Sequence, residues 1–247
     1  MLFSIIITII VCVSVVNTMT DIEPLYYNDV YLNSRNVAIS IVKEETKEES
    51  TSNGNSNSSS NSSTGKGNFG DSLFIPAGGM AVPLYIQYLY NKPIGNMSTL
   101  KVGGCGYCSL AMTLSYVTNK TITPPDIIDR VGSKYHTGSG ISWSAFNSIP
   151  KLYGAKCSAE YLNNSTATMN KVKKALKAGK PVICSQTKGI FTGAGHIIVL
   201  RGITDKGKIL VNDPNDNTYK KNHYKTEFDF ASDINSTARA YWVIEKR

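Results

Sequence analysis

Leu110, Ala111, Leu114 and Val117 recur at the three- and four-residue spacing of one helical face. The run starts directly behind Gly103-Gly104-Cys105-Gly106, so the pattern predicts a buried helix from Cys105 to about Val117, ending near Thr118-Asn119. A second helix opens at Thr123-Pro124-Pro125-Asp126, with Thr123 as its cap and Ile127, Ile128 and Val131 as its apolar face. Trp143 to Tyr153, closed by Gly154, reads as a third, and Thr168 to Ala178, closed by Gly179, as a fourth. Strand patterns then take over. Ala155 to Leu162 is one candidate; Pro181 to Cys184, His196 to Arg201, Lys208 to Asn212 and Ala238 to Ile244 follow. Asp205-Lys206-Gly207 joins two of them as a hairpin. Helices first and an antiparallel sheet second predict an α+β domain. Residues 72–95, broken by Pro76, Pro83 and Pro93, read as loops and short strands.

Upstream the pattern is of another kind. Leu2 to Val16 is almost continuously apolar, shorter than the roughly 20 residues a membrane span needs, and fits a signal peptide or N-terminal anchor over residues 1–18. Residues 19–68 end in a Ser/Asn/Thr/Gly tract with nothing to bury and read as a flexible tether. Residues 69–247 are left as the folded domain. Charge divides at the same place: residues 1–66 carry 4 Lys+Arg against 7 Asp+Glu, residues 67–247 carry 22 against 11. A basic domain behind an export signal suits an anionic cell wall or membrane surface as partner; a well-solvated lysine surface is the plainer reading. No nucleic-acid motif appears.

A cysteine at a helix start faces unpaired N–H groups and the positive end of the peptide dipoles, both of which favour the nucleophilic thiolate. Cys105 is therefore the candidate nucleophile, and it needs a base, an orienter and oxyanion donors. Of the three histidines, His196 opens a strand behind Thr192-Gly193-Ala194-Gly195, whereas His136 and His223 read as surface residues. Asn212 and Asp213 end the neighbouring strand. Alternate strand residues face opposite sides, so one of the two can reach the imidazole; Asp213 is the choice, Asn212 the alternative, and a turn-forming Asp-Pro the structural reading. Gln87 is the one glutamine upstream of Cys105 and the candidate oxyanion donor, with the Cys105 N–H as the second.

Set in order, Val82-Pro83-Leu84 with Gln87, Gly104-Cys105-Gly106, Ser109-Leu110-Ala111-Met112, Thr123-Pro124-Pro125, Gly140-Ile141-Ser142-Trp143, Gly179-Lys180-Pro181-Val182, Gly195-His196-Ile197-Ile198 and Val211-Asn212-Asp213-Pro214 form a specific signal. From about Val82 to Trp242 the chain resembles papain-like cysteine peptidases, in particular the group related to domains that trim double-glycine bacteriocin leaders. The resemblance implies a papain-like fold, no cofactor, and peptide or peptidoglycan substrates. It assigns nucleophile, base, orienter and oxyanion donor to Cys105, His196, Asp213 and Gln87. Cys108 departs from it, standing where related sequences commonly have a small residue such as threonine. The chain has no phosphate-binding loop of the kind a leader-processing transporter carries.

Cys108 also opens a second reading. Cys105-Gly-Tyr-Cys108 at a helix start is the arrangement of a dithiol redox site, although no thioredoxin-like βαβ unit precedes it. A Cys105–Cys108 disulfide holding a peptidase inactive combines the two. A non-catalytic wall-binding domain is a third reading. Zinc is the weakest, because 26 residues, not two, lie between Cys157 and Cys184. Their pairing as a disulfide is left open by the sequence.

Overall fold

The computed structural model describes residues 75–138, 140–216 and 225–247. The expected export segment, the tether, the first residues of the expected domain and His223 lie outside the described residues. After a 3-10 turn at Gln87–Leu89 the chain forms a small hairpin, β1 (Pro93–Ile94) and β2 (Ser98–Thr99). One helical turn follows, α1 (Leu100–Gly103), and leads directly into α2 (Cys105–Thr118). The remaining elements are α3 (Pro124–Val131), the hairpin β3 (His136–Thr137) and β4 (Gly140–Ile141), α4 (Ser144–Leu152), β5 (Ala155–Tyr161), α5 (Thr166–Lys177), β6 (Val182–Gln186), β7 (His196–Ile203), β8 (Ile209–Asn212), β9 (Glu227–Phe228) and β10 (Ala238–Lys246). The mixed helices and antiparallel sheet are the α+β architecture that the pattern predicts.

Six strands form the main sheet in the order β5-β10-β6-β7-β8-β9, every pair antiparallel. The C-terminal strand thus lies between β5 and β6. Every residue of β6 and all but the last of β7 are buried, so helices or loops cover both faces there. α2 and α5 both pack against β7. From Gly106 to Ser115 no residue of α2 is exposed, the mark of a core helix rather than an amphipathic surface one. Its buried hydroxyls are satisfied locally: Thr113 donates to Ser109 O at 3.0 Å, and Ser115 both donates to Ile122 O and accepts from Ile122 N at 2.9 Å. Trp242 of β10 holds α4 to the sheet, its ring 4.5 Å from Phe146 and its Nε1 donating to Glu160 Oε1 at 2.6 Å.

Local signals set most boundaries. Thr123 and Asp126 form a reciprocal capping box on α3, with proline in the first turn. α5 starts two residues before the expected Thr168, because Ser165 supplies the cap by accepting from Thr168 N at 3.2 Å. The stretch expected as loops and short strands also contains helical turns, at Gln87–Leu89 and just beyond it at Leu100–Gly103. Cys157 and Cys184 are free thiols on β5 and β6, with β10 between them. Two strand spacings, about 9.6 Å, exceed the reach of a disulfide. Among the described residues no helix is long and apolar enough to cross a membrane.

Candidate active site

The site begins where α1 hands over to α2. Gly104 is the N-cap of α2 and has no side chain to cap with, so the first N–H groups of the helix keep no intrahelical acceptor. Two glycines are required by packing. A Cβ on Gly104 would stand 2.1 Å from Leu100 O, and one on Gly106 would stand 2.2 Å from Ile141 Cγ2. The β3–β4 hairpin thereby closes against the first turn of α2, beside half-buried Cys105.

Cys105 and Ser109, four residues apart on one helix face, meet the backbone of the same β7 residue, Ile197. The Ile197 N–H donates to the Cys105 sulfur, and Ser109 Oγ reaches Ile197 O at 3.5 Å. That contact puts His196, at the head of β7, next to Cys105, and the two side chains hydrogen-bond. His196 Nε2 bonds Asp213 Oδ1 at 2.6 Å, leaving Nδ1 for the sulfur. Asp213 follows β8, and the same Oδ1 also accepts from Asn215 N at 2.8 Å, a second bond that fixes the carboxylate. Imidazole and carboxylate are both buried.

Electrostatics sort the protons. Burial pushes the Cys105 thiol up, but the hydrogen bond and charge of His196, with the N–H groups of Ile197 and Gly106, outweigh it and hold the thiol below its ordinary value. Burial pulls His196 down, but the Asp213 charge and hydrogen bond, then Cys105, carry it to about 9. The two shifts run in opposite directions, the thiol lowered and the imidazole raised, and both favour a thiolate–imidazolium pair. Cys108 is the opposite case. Its thiol is fully buried one turn further along α2, and burial followed by the neighbouring Cys105 charge drives it well above its ordinary value.

The structure separates the two adjacent orienter candidates. Asp213 meets the imidazole, while the Asn212 amide turns the other way and donates to Val82 O at 3.0 Å and Pro83 O at 3.1 Å. Gln87 is buried near α1. Its backbone N–H donates to Pro214 O at 2.7 Å and its Nε2 to Lys101 O at 3.2 Å, on the turn that leads into Cys105. All four expected site residues are thus brought to the region around the start of α2. His136 is not the plain surface residue expected. It lies on β3, stacks on Tyr107 with ring centroids 6.4 Å apart, and packs on Gly103. Burial lowers its pKa, and its Nδ1 is enclosed without a partner among the described residues. The contributions of Ile197 and Ile141 escape sequence reasoning, because a backbone donor and a packing contact leave no composition signal.

A cavity of about 750 Å³ lies elsewhere, bordered by Tyr116 near the end of α2 and Ile203 at the end of β7. Eleven residues of helix, about 16 Å, separate Tyr116 from Cys105, so that cavity does not hold the reacting groups. Among the described residues no group of three or more His, Cys, Asp or Glu side chains is placed to hold a metal ion.

Residues 80–242 match the model of the Peptidase_C39 like family, a span that contains Cys105, His196, Asp213 and Gln87. No curated protein matches the chain.

Proposed function

Starting from the chain's membership of the Peptidase_C39 like family, which suggests a cysteine peptidase, a hydrolase acting on peptides, we propose that Cys105 is its nucleophile and His196 its general base and acid. Asp213 orients the imidazole, and Gln87 with the Cys105 N–H receives the oxyanion. The observation that carries this reading is the hydrogen-bonded row from Cys105 through His196 to Asp213, with the thiol shifted down and the imidazole up.

The steps follow from the positions. The Cys105 thiolate attacks an amide carbonyl carbon, and the carbonyl oxygen takes the electron pair as an oxyanion. As the C–N bond breaks, His196 gives its Nδ1 proton to the leaving amine, and the acyl group stays on sulfur as a thioester. Neutral His196 then takes a proton from water, whose hydroxyl displaces the thiolate and releases the acid. Asp213, fixed by the Asn215 N–H, keeps Nε2 protonated, so that Nδ1 is the nitrogen that exchanges protons with the sulfur and the substrate.

The finer reading is a papain-like domain in an exported relative of the bacteriocin-leader peptidases. It has a cleaved or anchoring segment at residues 1–18, a tether over 19–68, and substrates among peptides or cell-wall stem peptides. The 22 Lys+Arg against 11 Asp+Glu of residues 67–247 support an anionic wall or membrane surface as its surroundings. The dithiol alternative draws no support from Cys108, whose buried, protonated thiol is a poor partner for exchange. The test is iodoacetamide labelling of the reduced protein with the modified residue mapped, alongside hydrolysis of a quenched peptide library by wild type and Cys105→Ala. Selective labelling of Cys105 and loss of hydrolysis in the variant are expected. Full hydrolysis by Cys105→Ala would overturn the assignment.

A further inference from the structure

Asn212 is almost fully buried at the end of β8, yet it faces neither the imidazole nor solvent. Its amide nitrogen is given to two successive backbone carbonyls, Val82 O and Pro83 O. Those carbonyls belong to a stretch with no strand partners that runs through the core, with Val82, Leu84, Tyr85 and Ile86 all buried. Beyond this latch the stretch is held by two backbone bonds, Met80 N to Arg201 O at 2.8 Å and Gln87 N to Pro214 O at 2.7 Å. Between them the Tyr85 hydroxyl meets Ser115 Oγ of α2 at 3.4 Å, and Asn212 is the side-chain fastening to β8, at Pro83 four residues before Gln87.

We infer that Asn212 is a positioning residue for the oxyanion donor: it fixes the Val82–Gln87 stretch against β8 and so sets where the Gln87 amide stands. Adjacent strand residues point to opposite sides. In the Asn212-Asp213 pair one side chain therefore holds the base and the other holds the segment that brings the donor. The dipeptide sets the distance between the two halves of the site. The inference rests on the oxyanion role proposed for Gln87.

Two chemistries on the same sulfur separate this from a general loss of stability. Acylation by p-nitrophenyl acetate develops an oxyanion. Alkylation by iodoacetamide is displacement at a saturated carbon and develops none. In Asn212→Ala the acylation burst slows by about ten- to a hundredfold, the range of a donor displaced by about an ångström. The alkylation rate and its pH profile stay at the wild-type values. Gln87→Ala slows acylation to a similar extent, and adding Asn212→Ala to it slows acylation by no more than about twofold further, because the two act as one unit. If Gln87→Ala acylates at the wild-type rate, the oxyanion reading of Gln87 is wrong. If Gln87→Ala is slow but Asn212→Ala is not, or their effects multiply, Asn212 does not act through Gln87. A shifted alkylation profile in Asn212→Ala also overturns the inference, since it would place Asn212 on the imidazole side. Circular dichroism checks each fold, and Asn212→Ser, a donor of shorter reach, replaces Asn212→Ala with the same expectations should that variant not fold.

Discussion

Replacing Asp213 with asparagine removes a charge and little else. The side chains match in shape, and an asparagine Oδ1 at 213 can still accept from both Asn215 N and His196 Nε2–H, as the carboxylate does at 2.8 Å and 2.6 Å. What is lost is the charge assistance to a buried imidazolium. Hydrogen bonds to charged groups contribute about 1.5–3 kcal/mol net, against roughly 1 kcal/mol for neutral ones. The difference is about 0.5–2 kcal/mol, or roughly 0.4–1.5 pK units at 1.36 kcal/mol per unit. His196 should then titrate at about 7.5–8.6 instead of about 9. At pH 8 the imidazolium fraction falls from about nine-tenths to between about a quarter and four-fifths. The alkaline limb of peptide hydrolysis moves down with it, because proton delivery to the leaving amine needs the imidazolium.

The chain has three histidines, so the titration can be read directly. In protein labelled with ¹³C-histidine, the Cε1–H resonances are followed from pH 5 to 11, and His196 is assigned by the signal missing in His196→Ala. An Asp213→Asn midpoint within about 0.3 units of wild type would refute the reasoning. It would mean that Cys105, not Asp213, holds the imidazole protonated.

Gly106→Ala places a Cβ 2.2 Å from Ile141 Cγ2 and should destabilise by about 1–3 kcal/mol in urea titrations, with Ile141→Ala restoring much of the loss; equal stability of Gly106→Ala and wild type would refute the contact. Cys108→Ser puts a hydroxyl in a fully buried site and should cost about 1–3 kcal/mol while hydrolysis persists; a folded but inactive variant would revive the dithiol reading. His196, raised from 6.5 to about 9, binds more protons folded than unfolded across that window and contributes stability that is lost as pH rises; lowered Cys105 binds fewer and opposes it. Wild-type stability should therefore fall less steeply between pH 6.5 and 9 than that of Cys105→Ala, which should weaken by up to about 1.4 kcal/mol per pH unit; parallel pH profiles would count against the ion pair.

Legibility in the sequence followed the range of each signal. The helix behind Cys105, the Thr123 cap and the strands that run from His196 and into Asn212 are written in local periodicity and turn residues, and the observed elements lie within a few residues of those patterns. The order of strands is not local. That β10 enters between β5 and β6 depends on pairings such as Trp242 with Glu160 and with Ile183, which no window of sequence contains. Two-residue strands such as β3 and β4 are too short for alternation to reveal, and that is why His136 read as surface. The choice between Asn212 and Asp213 turns on the β7–β8 pairing, whose register shifts at Leu200–Gly202. A one-residue slip exchanges the two faces of a strand, so alternation alone could narrow the orienter to two residues and no further.

The uncapped start of α2 shows why the site sits where it does. A Ser, Thr, Asp or Asn at the N-cap would ordinarily stabilise such a helix by about 1 kcal/mol, and its side chain would occupy the N–H groups that face the sulfur. At Gly104 that exchange is closed by packing, since any Cβ would strike Leu100 O at 2.1 Å. The turn α1 thus excludes a capping side chain and leaves the first N–H groups of α2 to the thiolate. The stability forgone at the cap is offset further along the helix, where the buried run from Gly106 to Ser115 packs into the core. Buried contacts of roughly 25 cal/mol per Å² over Leu110, Met112 and Leu114 outweigh one missing cap several times over. An exposed helix with the same start would lack that margin. The nucleophile therefore requires the core helix behind it as much as the glycines before it.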